Sequence, residues 1–268
     1  MIFRRWISYV IVLMAIPALC AGQAPSAASK DAPDPALIAD LVLANHILAN
    51  EGVLDGYGHV SVRDPRHPDR FLLARAAPAG AVTATDISEY DLEGNPVADP
   101  NAGGFIERYI HSEIYKARPD VMAVIHSHAA EIIPFTVSNV PLRPMIHVAG
   151  FLPQTVPIFE VRKVAGMSDM LIRTPALGKA LAATLGADSV VLLRGHGAAV
   201  VGPTLHAAVG RAYYTTVNAR TEQQAILMAG GQDKITFLAP EEAEKTAVQD
   251  GYERAWTLWK AKLEKQNK

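Results

Sequence analysis

Two short stretches of this 268-residue sequence put histidine where a metal ion could be held. His126-Ser127-His128 closes an apolar run that reads as a strand. Residues two apart on a strand project to the same face, so both imidazoles can reach one ion. Gly195-His196-Gly197 directly follows a second apolar run, 189–194. Glycine on both sides lets the backbone turn sharply and come close to whatever the histidine binds. Three neutral imidazoles suit zinc and leave a coordination position open for substrate or water, as a catalytic site requires. They would also accept manganese or iron(II), because affinity order alone does not choose. A lone histidine is more often a satisfied, half-buried ring. The pair together with the Gly-His-Gly element reads instead as a ligand set, His126, His128 and His196.

Glu107 opens the stretch Glu107-Arg-Tyr-Ile-His111, which has helical spacing. A carboxylate in a first helical turn is what the helix dipole prefers. If that helix packs against the metal strand, the same carboxylate can move a proton at the open position. His111 lies four residues on, along the same helical face, and could orient Glu107 or belong to the core. His59 and His147 are weaker site candidates, and His46, His67 and His206 receive no role. Trp256 and Trp259 read as the packed face of a C-terminal helix.

The elements that must position these groups follow from local signals. Asp34-Pro35 is a cap followed by proline, and 36–50 is a helix ended by Gly52. Residues 59–63 alternate as a half-buried strand, 64–68 turn, and 71–75 return, giving a hairpin with a long loop. Residues 90–92 and the turn at 93–96 suggest another strand pair. A helix over 105–117 stops at Arg118-Pro119. A strand over 121–126, a short helix over 129–137, a strand over 189–194 and a long helix over 204–229 closed by Gly230-Gly231 follow. A final helix is expected over 240–265. Strands interleaved with helices of this length imply an α/β sandwich with helices on both sheet faces.

Composition bounds the rest. Half the residues are hydrophobic and the formal net charge is −2, so no basic excess points to nucleic acid. Cys20 is the sole cysteine, which excludes thiolate ligation at the site and any intrachain disulfide. Arg4 and Arg5, the apolar run that follows and the small residues around Ala21 read as a signal peptide over 1–24. An uncleaved N-terminal membrane anchor is the alternative, and lipidation at Cys20 ranks third because bulky Leu19 precedes it. Residues 25–35 read as a disordered spacer rich in Ala, Pro, Ser and Asp. The folded domain is expected over 36–268, in an exported protein that is periplasmic or secreted and meets the membrane only through its signal.

The stretch from Glu107 through Arg118-Pro119-Asp120 to Val124-Ile-His-Ser-His128, followed by Leu193-Arg-Gly-His-Gly197, resembles the class II aldolase/adducin family over roughly residues 36–231. The resemblance implies a three-layer α/β/α sandwich around a mostly antiparallel mixed sheet, and a homotetramer. It puts the metal ligands on His126, His128 and His196 and the acid/base carboxylate on Glu107. Departures matter as well. Family aldolases hold a substrate phosphate with Gly-Asn, Thr-Gly and Ser-Ser pairs. Here His59 follows Gly58, the second position reads Ala74-Arg75-Ala76-Ala77, and Phe105-Ile106 precedes Glu107. A phosphate dianion would find few donors, whereas the planar fork of Arg75 suits a carboxylate. Arg75 could equally pair with Asp64 or Asp86. Phe105, Ile106 and Phe151 would line a more apolar pocket.

The expected activity is therefore a lyase that breaks a C–C bond of a small, non-phosphorylated hydroxy- or keto-acid, by decarboxylation or retro-aldol cleavage. Both pass through an enolate-like anion whose oxygen a Lewis-acid metal stabilises, with Glu107 handling the proton and His59, Arg75 and His147 binding the carboxylate substrate. Two alternatives come from other classes: oxygen chemistry at a non-haem iron(II), and a non-catalytic binding role like that of the adducin branch.

Overall fold

The computed structural model describes residues 32–99, 103–247 and 252–266. The segment read as a signal peptide, and all but the last four residues of the spacer, lie outside the described residues. The folded unit begins at Pro33. No helix among the described residues is long and apolar enough to cross a membrane.

The first element among the described residues is α1 (Pro35–Asn50), where the Asp34 carboxylate accepts from the Ala36 amide and proline starts the first turn. Three strands follow, β1 (His59–Asp64), β2 (His67–Ala74) and β3 (Ile87–Asp91). Then come α2 (Arg108–Ala117), β4 (Ala123–Ser127), the short α3 (Ile133–Val137), β5 (Ile158–Phe159) and the single turn α4 (Arg162–Ala165). The second half contains α5 (Pro175–Leu185), β6 (Val190–Leu193), β7 (Gly197–Gly202), α6 (Leu205–Ala229), α7 (Pro240–Ala247) and α8 (Glu253–Gln266).

The strands form one seven-stranded sheet in the order β3-β2-β1-β4-β7-β6-β5. Every pair is antiparallel except β5 with β6. The sheet divides its side chains by strand parity. Val60, Val62, Ala123, Ile125, Ala198 and Val200 enter one core together with residues of α1, α6 and α8. Phe71, Leu73, Val124, Val191, Ala199 and Val201 enter the other together with Ile110 and Ile114 of α2 and Leu181 of α5. This is the expected α/β/α sandwich, and α2 lies on the face that also receives His59, Ser61 and His126.

Several boundaries differ from the sequence reading. The β1–β2 connection is tight rather than long: Asp64 pairs with His67 across Pro65 and Arg66, and the register shift beside Arg63 absorbs the turn. Expected helix 129–137 shortens to α3, with Pro134 in its first turn. The expected single C-terminal helix is two, and Tyr252, which leads into α8, has a left-handed φ of 58° that a continuous helix forbids. The sequence reading passed over α5, despite its Thr174 cap and Pro175, and over β7.

Candidate metal centre

β4 lies between β1 and β7, and the register places His59 beside His126 and His126 beside Ala199. The β4 end carries the His-x-His pair. The third histidine arrives on the turn that joins β6 to β7, where the His196 amide donates to the Leu193 carbonyl at 3.0 Å. Gly195 takes φ 62° in this turn. A Cβ on Gly197 would lie 2.0 Å from the Ser127 carbonyl oxygen, so only glycine lets the turn ride against β4. His196 thereby reaches His128.

Four ligand atoms converge there. His126 Nε2 and His128 Nε2 are 3.0 Å apart, and His128 Nε2 and His196 Nε2 are 3.1 Å apart. Glu107 Oε2 lies 3.5 Å from His126 Nε2 and 3.4 Å from His196 Nε2. Atoms from all four residues fall within 4.8 Å of one another. The outer ring nitrogens show which lone pairs face inward. His126 Nδ1 donates to the Ala198 carbonyl at 3.1 Å, and His128 Nδ1 donates to both Asp55 oxygens at 3.2 Å. The neutral rings then present bare Nε2 atoms to each other. Lone pairs this close repel unless a cation lies among them. Ligand nitrogens about 2.1 Å from one ion stand about 3.0 Å apart at right angles and about 3.4 Å apart at the tetrahedral angle. The donor set fits a divalent metal, and Asp55 and Ala198 supply the outer hydrogen bonds such ligands use.

Electrostatics agree. Burial and then the charge of His126 hold His128 below the ordinary imidazole value, which favours its neutral, ligating form. Burial raises the Glu107 carboxyl, but the adjoining edges of His126 and His196 outweigh it and hold the group well below the usual carboxylate range. Its other oxygen accepts from the buried Ile172 amide at 2.8 Å. Glu107 precedes α2 and makes no capping bond to it, so the expected place in the first helical turn is corrected: the carboxylate faces the histidines. Burial opposes ionisation of Asp55 too, yet bonds from the Tyr57 and Gly58 amides and from His128 lower its carboxyl overall.

His59 lies beside this cluster, its ring centroid 5.2 Å from that of His126 and 4.3 Å from that of Phe105. His111 does not orient Glu107; it is fully buried and bonds to His59 and Ser61. Two other expected groups are not brought to the cluster. Arg75 is exposed and pairs with Asp86 at 3.2 Å, and His147 is exposed on a short turn beside α6 and α7. Phe151 packs in the core on the α6 side of the sheet rather than lining this site. Asp55 and Ile172 were missed from sequence. The Asp55-Gly56 turn signal marks the first, and nothing local marks a backbone amide.

Fold and site together define an α/β sandwich with a cluster of three histidines and one carboxylate, able to hold a metal ion, at the end of a central strand. The family model described as Class II Aldolase and Adducin N-terminal domain matches residues 39–222. The chain belongs to this family. The decarboxylase tropJ of Talaromyces stipitatus is 38% identical over 241 residues, covering 82% of this chain and 91% of that protein. A 3,4-dihydroxyphthalate decarboxylase of Arthrobacter keyseri is 31% identical over 173 residues, covering 59% of this chain and 65% of that protein. The aldolase II superfamily protein of Pseudomonas syringae shares the fold with a TM-score of 0.72 at 24% identity, covering 88% of this chain and 96% of that one. These relatives support an enzyme of the lyase and decarboxylase kind.

Proposed function

We propose that the chain is a metal-dependent decarboxylase of a small, non-phosphorylated hydroxy acid, most simply an aromatic one with a hydroxyl ortho to the carboxylate. The observation that carries this reading is Glu107, ionised and held by Ile172, with one oxygen aimed at the imidazoles. An aromatic wall, Phe105 against His59, flanks it. The names of the relatives point the same way.

A divalent ion held by His126, His128 and His196, zinc first and manganese or iron(II) otherwise, would act as a Lewis acid toward a substrate oxygen. Glu107 Oε2 takes the hydroxyl proton of the bound acid, then returns it to the carbon bearing the carboxylate. That protonation uses the electron pair released from the oxygen through the ring. Breaking the C–C bond gives CO2 and returns its pair to the ring, leaving a phenoxide that takes a proton from water. Phe105 and His59 keep the reacting face dry.

The test is a panel of 2-hydroxybenzoates, dihydroxyphthalates, β-keto acids and fuculose 1-phosphate, offered to protein loaded with each metal. Released CO2 and aldehyde are both measured. CO2 from hydroxy acids with poor sugar-phosphate cleavage is expected. Efficient aldehyde release from the sugar phosphate, with no CO2 from any acid, would overturn the reading. The homotetramer and export through 1–24 belong to the same proposal, checked by light scattering and by N-terminal sequencing of protein from the cell.

A further inference from the structure

A buried chain of hydrogen bonds runs from α2 to the edge of the metal centre. His59 Nδ1 and His111 Nε2 are 2.6 Å apart, and His111 Nδ1 and Ser61 Oγ are also 2.6 Å apart. Ser61 Oγ and the Tyr115 hydroxyl are 2.8 Å apart. All four residues are at most 1% exposed. Each contact holds one proton, and the two hydroxyl groups at the far end decide the order of the protons. The Tyr115 hydroxyl has no acceptor among the described residues except Ser61 Oγ. If it did not donate there, a buried O–H would be left unmade, at a cost of about 1–3 kcal/mol.

Tyr115 therefore donates to Ser61, and the Ser61 hydroxyl, which has no other acceptor among the described residues, donates to His111 Nδ1. The His111 proton then sits on Nε2 and is donated to His59 Nδ1. That leaves the His59 proton on Nε2, at the opposite edge of the ring. Nε2 makes no hydrogen bond among the described residues. Among the described residues, the unpartnered, fully buried side-chain polar atoms are Glu89 Oε1, Tyr90 OH, Ser112 Oγ, Ser127 Oγ and His196 Nδ1. His59 Nε2 is not one of them, so this atom is not sealed off, and its ring lies against Phe105 on one side and His126 on the other.

We infer that the Tyr115–Ser61–His111 chain locks His59 as a neutral Nε2–H donor, which binds an anionic oxygen of the substrate beside Glu107. Tyr115, Ser61 and His111 are then positioning residues, and His59 is the group that touches substrate. A neutral donor orients a carboxylate or phenolate without the charge that would anchor it against loss of CO2. This deepens the hydroxy-acid reading and rests on it for the identity of the ligand, though not for the proton order.

Neutron diffraction from perdeuterated, zinc-loaded crystals reads the proton order directly and needs no variant. Deuterium is expected on His59 Nε2 and His111 Nε2, with both Nδ1 atoms bare. Deuterium on His59 Nδ1 with a bare Nε2 would overturn the proposal. Calorimetry with salicylate as probe tests the donor. His59→Leu should weaken binding about 10- to 100-fold, the range for a hydrogen bond to a charged group. His59→Gln, which keeps an N–H near the Nε2 position, should recover most of that loss. Equal salicylate affinity in wild type and His59→Leu would also overturn it. Wild-type protein that shows the deuterium order yet ignores salicylate would count against the hydroxy-acid reading instead, and leave the chain standing.

Discussion

Replacing Glu107 by Gln separates the work of the carboxylate from that of the metal. The amide keeps the shape of the side chain, and its oxygen can still accept from the Ile172 amide, a 2.8 Å bond in the parent. Alanine is the wrong probe, because it would strand that buried N–H at a cost of about 1–3 kcal/mol. With Gln the fold should be nearly unaffected, and three imidazoles remain to hold the ion. What disappears is the one carboxylate among the described residues that lies within 3.5 Å of both His126 Nε2 and His196 Nε2 and can accept and return a proton while the imidazoles hold the ion. Losing a general acid/base lowers turnover by about 10²–10⁴-fold. At 1.36 kcal/mol for each tenfold step, that raises the barrier by about 3–5.5 kcal/mol. The assay is CO2 release at equal metal loading, with occupancy set by elemental analysis and folding checked by thermal melt. A folded, metal-loaded variant turning over within a few-fold of the parent would refute the role given to Glu107.

The other expectations concern the ligands and one buried acid. Alanine at His126, His128 or His196 should each cut bound metal sharply, and full occupancy in any one variant would remove that residue from the set. Asp55→Ala removes the acceptor of His128 Nδ1. It should weaken metal affinity about 10- to 100-fold by competition with a chelating dye, whereas unchanged affinity would leave Asp55 as a turn residue only. Burial raises the Glu222 carboxyl from 4.5 to about 7, while the Arg143 amide and Gln232 Nε2 donate to it. A raised folded value means the native state holds the proton more tightly than the unfolded chain. Stability should therefore fall as pH rises from about 4.5 through about 7, by about 3 kcal/mol at most. Glu222→Gln should remove that slope in urea titrations, and a stability difference from wild type that is equal at pH values of about 5 and about 8 would contradict it.

The grouping of His126, His128 and His196 was legible because its geometry is local. A period of two fixes the faces of His126 and His128, and the flanking glycines announce the turn at His196. Helices with a capping residue and proline were equally plain at α1. What sequence could not supply is partner choice across the fold. Arg75 looked ready for a carboxylate, and Asp86 holds it. His111 could have served Glu107, yet the parity of β1 puts His59 and Ser61 over it instead. Strand β7 escaped notice because Gly-Ala-Ala-Val-Val-Gly is short and bounded by glycines that read as loop. The Ile172 amide carries no side-chain signature at all.

The close approach of Gly197 to β4 also constrains how such a site can change over generations. The third histidine works only while its neighbour lacks a side chain, since any Cβ there would occupy the Ser127 carbonyl. A lineage that loses the glycine loses the histidine's reach in the same step, even with His196 itself untouched. The reverse does not hold: once His196 has drifted to another residue, the glycine still fits. Decay of the metal centre in descendants of this chain would therefore begin at the histidines, and a surviving Gly197 without His196 would mark a site that once held an ion.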